Sequence, residues 1–541
     1  MAKLAWMRKA PWLTWWVAAF VLSVHNRTFF HELGQTLTDQ AGQAGLPAAC
    51  VASLAASLLL LCALGAQLLC LTGASRWVLP FYLLLSSALA YFTDNMGVHF
   101  DRGMVVNILE TNGSEALELF QFSVVGHLLL TGLLPAFLVV WLHERGSTWL
   151  ERIRGSALHA SCSLLLLALL FIFFRTHFIQ IAYEHKPLRY LAVPISFLGS
   201  ASQVVRARFQ RGEQSKAIVQ AELECRDQEK ARLVILVVGE AARSDHFALN
   251  GYERDTNPNL TGLDVISLPR VFGCATSTAQ AVPCMFSSLQ REDFTTQKAA
   301  RKENTLDVLA RLGVQILWRD NNSSSKGVAN DHPQQDFRTP SLNPLCDLEC
   351  RDEGMLQGLD DYIACLAGKN ALIVLHQLGN HGPAYFKRYP ASHAVFQPEC
   401  QSGQLADCSD LELVNAYDNA IRYTDHFLAK AIALLKGWEN QYQVSLIYVG
   451  DHGESLGEKG IYLHGMPWSF APECQKRIPV IFWFGKGMES HAAAAREWLD
   501  REIRFNFLFH TLLPLFQVHG DVCLPEFDLL GEPSHGIART I

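Results

Sequence analysis

Two stretches decide how this chain is read: ARLVILVVGE, residues 231–240, and QVSLIYVGDH, residues 443–452. Each carries an apolar run long enough for a strand buried on both faces. Each breaks off at side chains able to ligate a metal, Glu240 in the first and Asp451 with His452 in the second. Open α/β sheets carry their chemistry at the carboxyl ends of strands. Two carboxylates and an imidazole delivered there suit a single cation, and zinc accepts that mixture of oxygen and nitrogen. Polar residues at strand ends are also ordinary turn chemistry, so neither motif is decisive without the other.

Further runs extend the sheet. After residue 231 come VQILWRDN (314–321), ALIVLHQLGNHG (371–382) and RIPVIFWFG (477–485), separated by helical patterns. Such alternation predicts a parallel sheet with helices on both faces. Four of the five runs lead into polar groups: Glu240; Asp320, Asn321 and Asn322; His376 and His381; Asp451 and His452. Between the first two runs lies VFGCATSTAQAVPCMFSSL (271–289), in which Thr278 opens a helical pattern. A helix N-terminus offers unpaired N–H groups to an alkoxide or a phosphate. Metal coordination would lower the hydroxyl pKa and fix its position. Ser277 competes with Thr278 as nucleophile, and helix capping by Thr276, Ser277 and Thr278 is the plainer alternative. Lys326, in WRDNNSSSKG, would neutralise a phosphate oxygen. His381 and His464, each beside a glycine, would protonate a leaving alkoxide or hold a second metal. Glu454 would orient a ligand or cap its turn.

The first half of the chain has a different character. Of 541 residues, 50% are hydrophobic and only 18% charged, and the excess is concentrated before residue 175. Apolar segments near 11–31, 48–71, 77–93, 120–142 and 156–174 each approach the ~20 residues that cross a bilayer. Lys3, Arg8 and Lys9, then Arg76, then Arg145, Arg152 and Arg154 mark cytoplasmic ends. The loop with Asp94, Asp101, Glu110, Glu115 and Glu118 falls outside. The reading is a transmembrane domain of five helices (1–175), a bridging segment (176–230) and an external catalytic domain (231–541). The bridge reads as an amphipathic stretch along the membrane surface or as a plain connecting helix.

Cysteine spacing agrees with an oxidising compartment. Cys274/Cys284, Cys346/Cys350 and Cys400/Cys408 are close pairs suited to small disulfide loops. Zinc binding by the C-x3-C pair lacks a companion pair of matching spacing. Cys50, Cys62, Cys70 and Cys162 fall in apolar segments and read as packing residues. Of Cys225, Cys365, Cys474 and Cys523, the last two are candidates to pair with each other.

Taken together, GE240, STAQAVPCMFS (277–287), WRDNNSSSKG (318–327), LHQLGNHGPAYFKRYP (375–390) and GDHGESLGEKGIYLHGMP (450–467) resemble the bacterial lipid A phosphoethanolamine transferases of the alkaline phosphatase/sulfatase superfamily, which include the mobile colistin-resistance enzymes. The resemblance spans essentially the whole chain. It implies an α-helical membrane domain of five transmembrane helices joined to an α/β sulfatase-like periplasmic domain, in the bacterial inner membrane. It further implies Glu240, Thr278, Asp451 and His452 as zinc ligands, with one tightly bound Zn2+ and a second left open. Thr278 would be the nucleophile, and Lys326, His381 and His464 would contact phosphate and substrate; the role of His376 stays open. Asn107, Thr111 and Glu115, spaced by four and so on one helix face, match positions that hold the phosphoethanolamine donor. The implied donor is phosphatidylethanolamine and the implied acceptor lipid A, with a core sugar as the alternative; membrane lipids surround the anchor. No nucleic acid and no obligate protein partner are expected. A sulfatase would need a C/S-x-P/A-x-R motif, which is absent around Thr278. A sensor without turnover would be expected to have lost one of the four ligand positions.

Overall fold

The structure is a computed structural model that describes residues 10–39, 48–111, 113, 116, 119, 122–143, 148–184, 187–209, 216–223 and 230–531. The chain divides into two compact units, one of residues 1–105 with 120–208 and the other of residues 106–119 with 209–541.

The first unit is helical. Its helices include Ala10–Val24, Arg27–Asp39, Ala48–Cys70, Ser75–Met96, Phe122–Leu142 and Trp149–Glu184. Val51–Cys70, Phe122–Leu142 and Trp149–Arg175 are long and apolar enough to cross a membrane, and Pro11–Val24 is apolar but shorter. The segment expected at 11–31 is broken after Val24, because Asn26 leaves the helix to serve another strand of chain. Its Nδ2 donates to the carbonyls of Val21 at 3.0 Å and Val193 at 2.9 Å, and its Oδ1 accepts from the Val193 N–H at 3.0 Å. Of the cysteines expected to pack here, Cys62 and Cys70 are buried whereas Cys162 is exposed on its helix.

The bridging stretch is not one element. Ile195–Phe209 is a helix whose Ile195 and Leu198 pack on the core of the first unit. Residues 216–223, in contrast, are docked on the second unit. Lys216 pairs with Asp307 at 2.9 Å and Asp331 at 2.7 Å, and Glu222–Leu223 pairs antiparallel with Val518–His519. An amphipathic pattern records only that one face is apolar, not which surface covers it.

The second unit is built on a seven-stranded sheet. We number its strands β1 (Arg232–Gly239), β2 (Val265–Phe272), β3 (Gln315–Asp320), β4 (Gln334–Asp336), β5 (Ala371–His376), β6 (Gln443–Gly450) and β7 (Arg477–Phe484). Their spatial order is β2-β7-β6-β1-β5-β3-β4. Alternate residues of β1 point to opposite faces, so two cores form. Val234, Leu236 and Val238 pack with Trp318, Phe482 and Phe509 on one side. Leu233, Ile235 and Val237 pack with Tyr417, Ile432 and Leu446 on the other.

All five expected runs are strands, but one departs from the parallel reading. β7 runs antiparallel to both β6 and β2. A parallel return needs a crossover, normally a helix. Residues 451–476 supply only the short helical turns Glu458–Gly460 and Glu473–Lys476, so the chain re-enters along the edge it left. A fully buried run reads alike in either direction, and only this connection sets the sense. Pro479 lacks an N–H, and the β7–β2 register shifts around it, between Ile478 and Val480. Strands β2 and β4 had no counterpart among the expected runs. β2 carries Pro269 and Arg270 within its apolar residues, and β4 spans just 3 residues.

Leu236 is fully buried at the centre of one core. Leu236→Ala should therefore destabilise the second unit by about 2–5 kcal/mol, read as a lowered midpoint in denaturant unfolding of the detergent-solubilised chain.

Candidate active site

β1 and β6 are parallel neighbours with Gly239 opposite Gly450, and the Asp451 N–H donates to the Gly239 carbonyl at 2.9 Å. Glu240 and Asp451-His452 therefore reach one point at the carboxyl edge. All three are fully buried. One oxygen of each carboxylate is held internally: Asn322 Nδ2 donates to Glu240 Oε2 at 2.7 Å, and Asp451 Oδ1 accepts the N–H groups of Ala241 at 3.1 Å and His452 at 2.7 Å. The other oxygens, Glu240 Oε1 and Asp451 Oδ2, are buried without a hydrogen bond. His452 Nδ1 stands 2.8 Å from the Gly453 carbonyl, and a carbonyl only accepts, so Nδ1 carries a proton. Nε2 then faces the carboxylates, 3.3 Å from Glu240 Oε1 and 3.4 Å from Asp451 Oδ2.

Two buried carboxylates this close require a counter-charge. Burial and the charge of Glu240 push the Asp451 carboxyl up to about 7. Burial disfavours a charged imidazole at His452, yet Asp451 and Glu240 outweigh it and raise its pKa to about 10. Burial likewise opposes ionisation of Glu240, but His452, His381 and His464 hold its carboxyl below the usual range. A proton on His452 thus balances one negative charge, where a divalent cation would balance both. The ligand atoms of Glu240, Asp451 and His452 lie within 4.8 Å of one another, and their two unpartnered oxygens and one imidazole nitrogen fit such an ion.

Thr278 enters this cluster from the first residue of the helix Thr278–Met285. Its Oγ1 donates to Glu240 Oε2 at 2.9 Å and stands 3.2 Å from His452 Nε2. Ser277 takes the N-cap position without a side-chain capping bond, and Thr276 Oγ1 donates to the Met466 carbonyl at 2.5 Å. Of the three hydroxyls, it is Thr278's that meets the carboxylate and the imidazole. Cys274 and Cys284 are joined across this helix, and Cys346–Cys350 and Cys400–Cys408 are also disulfides. Cys474 and Cys523 are separate thiols, as is Cys365; Cys225 lies outside the described residues.

A histidine layer flanks the threonine. His464 lies against His452, with ring centres 4.2 Å apart, and His381 lies 5.7 Å from His464. Glu240, His381 and His464 form a second set of convergent ligand atoms. Glu454 does more than cap its turn: Oε2 accepts from His464 Nδ1 at 2.8 Å, and Oε1 accepts from the Tyr385 hydroxyl at 2.9 Å. His376 is buried one strand away, its Nδ1 2.9 Å from Asp320 Oδ2, which also accepts from Trp318 Nε1 at 3.0 Å. Lys326, in the loop after β3, has its side chain largely covered, with Nζ 3.3 Å from Glu110 Oε2. Asn107 and Thr111 sit one helical turn apart, the Thr111 hydroxyl donating to the Asn107 carbonyl at 2.9 Å; Glu115 lies outside the described residues.

Sequence reasoning did not find the Asn322–Glu240 bond or the Tyr385–Glu454–His464 relay. Asn322 was visible only as one of several polar residues after β3. Tyr385 carried no signal.

With this geometry in view, comparison with known proteins is specific. Residues 232–518 match the sulfatase family model, and residues 58–209 match the model for phosphoethanolamine transferases EptA/EptB. Phosphatidylethanolamine transferase Mcr-1 of Escherichia coli is 40% identical, over 93% of this chain and 94% of its own length. The chain belongs to the phosphoethanolamine transferases. Phosphoethanolamine transferase EptA of Salmonella typhimurium is 38% identical over 80% of this chain and 81% of its own. The structure of the integral membrane lipooligosaccharide phosphoethanolamine transferase A of Neisseria meningitidis superposes with a TM-score of 0.86 at 28% identity, covering 96% of this chain and 98% of that one.

Cation binding at Glu240, Asp451 and His452 would displace protons, because the raised pKa values of Asp451 and His452 mean that these two hold them without a metal. Affinity should thus fall as pH drops, and be weaker at about pH 6 than at about pH 8, measured by competition against a metal-buffering chelator. Glu240→Gln and His452→Ala should each lower the metal content of the purified transferase, read by elemental analysis.

Proposed function

We propose that this transferase moves phosphoethanolamine from phosphatidylethanolamine to lipid A through a covalent intermediate on Thr278, at a zinc site formed by Glu240, Thr278, Asp451 and His452. The observation that carries this reading is the Thr278 hydroxyl, 2.9 Å from Glu240 and 3.2 Å from His452, at a helix N-terminus inside a buried acidic cluster. A bound zinc ion lowers the pKa of that hydroxyl and draws charge from the phosphoryl oxygens.

The residues of the chain divide the remaining work. Thr278 Oγ1 forms the bond to phosphorus while the bond from phosphorus to the diacylglycerol oxygen breaks. The hydroxyl already directs its proton at Glu240 Oε2. His381 or His464 would protonate the departing alkoxide, and the Glu454 carboxylate fixes the His464 ring by holding Nδ1–H, leaving Nε2 for the proton transfer. N–H groups at the start of the Thr278 helix favour the negative phosphoryl oxygens. Lys326 would exchange Glu110 for phosphate, and Asn107, Thr111 and Glu115 would hold the ethanolamine end. In the second step an oxygen of a lipid A phosphate attacks the same phosphorus and Thr278 leaves.

Both substrates are lipids, which accounts for a catalytic unit tethered to apolar helices. Five spans with a cytoplasmic N-terminus, as the sequence suggests, would put that unit in the periplasm, on the outer face of the inner membrane. The three disulfides suit that compartment. Adding an amine reduces the negative charge of the cell surface, so cationic peptides such as polymyxin are attracted less strongly.

Mass spectrometry of lipid A from cells expressing the chain should show a gain of one phosphoethanolamine unit. Thr278→Ala should abolish it, with a loss of roughly 10⁴-fold or more in turnover. Addition to core oligosaccharide with lipid A unchanged would move the acceptor; no addition anywhere, from folded and metal-loaded protein, would refute the transfer.

A further inference from the structure

Beside the nucleophile's helix lies a group of cations that the transfer chemistry does not use. The indole of Trp468 carries two of them, with the Arg291 guanidinium 4.7 Å and the Lys476 ammonium 5.5 Å from the ring centre. Arg504 lies 3.9 Å from the ring centre of Phe272. Arg291 and Arg504 together line a crevice walled by Gly273, Cys274, Met285 and Phe505.

These charges are only partly matched. Arg291 has Glu292 beside it and Arg504 has Glu502, both partly exposed pairs. Arg477, which also faces Phe272, has Glu473 at 3.0 Å. Arg291 Nε is buried with no partner, and the Lys476 ammonium meets the indole rather than any acid among the described residues. Burial lowers the Lys476 pKa, and Arg291 and Arg504 lower it further against the pull of Glu473. Like charges gathered on one aromatic face oppose folding unless an anion joins them.

The cluster is joined to the active site through the backbone. The Gly273 N–H donates to the Lys476 carbonyl at 2.8 Å, and the Gly465 N–H to the Thr276 carbonyl at 2.7 Å. The helix Thr278–Met285 has 8 residues, hence a length of about 12 Å. Thr278 begins it in the active site and Met285 ends it on the crevice wall.

We propose that Arg291, Lys476 and Arg504, with Trp468, form a subsite for a second phosphate of the acceptor glycolipid, the one not being modified. The inference rests on the lipid A reading above. A disaccharide headgroup phosphorylated at both ends places one phosphate against the phosphorylated Thr278 and the other at the cations.

The test uses the full-length enzyme in detergent with fluorescent phosphatidylethanolamine and two acceptors, lipid A phosphorylated at both ends and its monophosphorylated form. Replacing both Arg291→Gln and Lys476→Gln should raise KM for the doubly phosphorylated acceptor about tenfold or more, the worth of charge-assisted hydrogen bonds. KM for the monophosphorylated acceptor and diacylglycerol release without acceptor should stay at wild-type values, and Lys476→Arg should behave as wild type. A variant with unchanged KM, or with equal losses on both acceptors, overturns the subsite while the transfer reading stands. A wild-type enzyme that releases diacylglycerol but modifies neither acceptor overturns the lipid A reading, and the subsite with it.

Discussion

Glu240 Oε1 and Asp451 Oδ2 are buried side by side without hydrogen bonds, and much of the second unit is arranged around that unfavourable placement. Two carboxylates do not stay ionised together in a water-free interior unless positive charge joins them. The arrangement persists because the flanking strands over-determine it. β1 and β6 are paired along their whole lengths, from Arg232–Gln443 to Gly239–Gly450, and neither strand end can shift without disturbing both cores. The cluster is therefore held in place from both sides, and a cation bound there would offset the destabilisation that the acids cause.

Surrounding loops add the rest of the chemistry by closing on that point. The loop after β5 crosses directly over Glu240, with the Asn380 N–H donating to the Glu240 carbonyl at 3.0 Å. A side chain at Gly379 would meet the backbone of Glu240 at 2.9 Å, and its φ of +52° suits glycine. This crossing carries His381 toward His464. The segment after β6 is bound in the same manner: the Gly453 and Glu454 N–H groups donate to the Gln475 and Cys474 carbonyls, each at 3.0 Å. A Cβ on Gly453 would fall 1.9 Å from the Cys474 carbonyl oxygen, so the glycine after His452 is a steric requirement of the site. In this way Cys474 and Gln475, just ahead of β7, contribute no reacting group but position the segment that carries His452 and Glu454.

Much of this was legible in the sequence for a simple reason. Buried strands are uninterrupted apolar runs, and the points where they stop are the points where an α/β sheet does its chemistry. Glu240, Asp451 and His452 stood out because each ended such a run, and Thr278 because it opened a helical pattern after small polar residues. Sulfur spacing was equally direct, since loops of 10, 4 and 8 residues bring each pair within reach. Less could be read where the partner is distant in sequence. Tyr385 supports Glu454 from 69 residues away and Asn322 holds Glu240 from 82, and no local pattern encodes either contact. Asn26 is the same case in the helical unit, where a bond to Val193, 167 residues on, ends a helix that hydropathy alone would continue.

Local composition by itself therefore determined the class of the molecule: apolar helices followed by an α/β unit, an acidic and histidine-bearing strand edge, and a threonine at a helix start. These are properties of nearest neighbours along the chain, set by periodicity, burial and turn chemistry. Tertiary structure decided the direction of β7, the split of the bridging stretch into a helix on one unit and a strand on the other, and that the hydroxyl meeting Glu240 and His452 is Thr278's. Those outcomes depend on which segments meet across long separations, where the competing arrangements share the same local pattern and differ only in the contacts they complete.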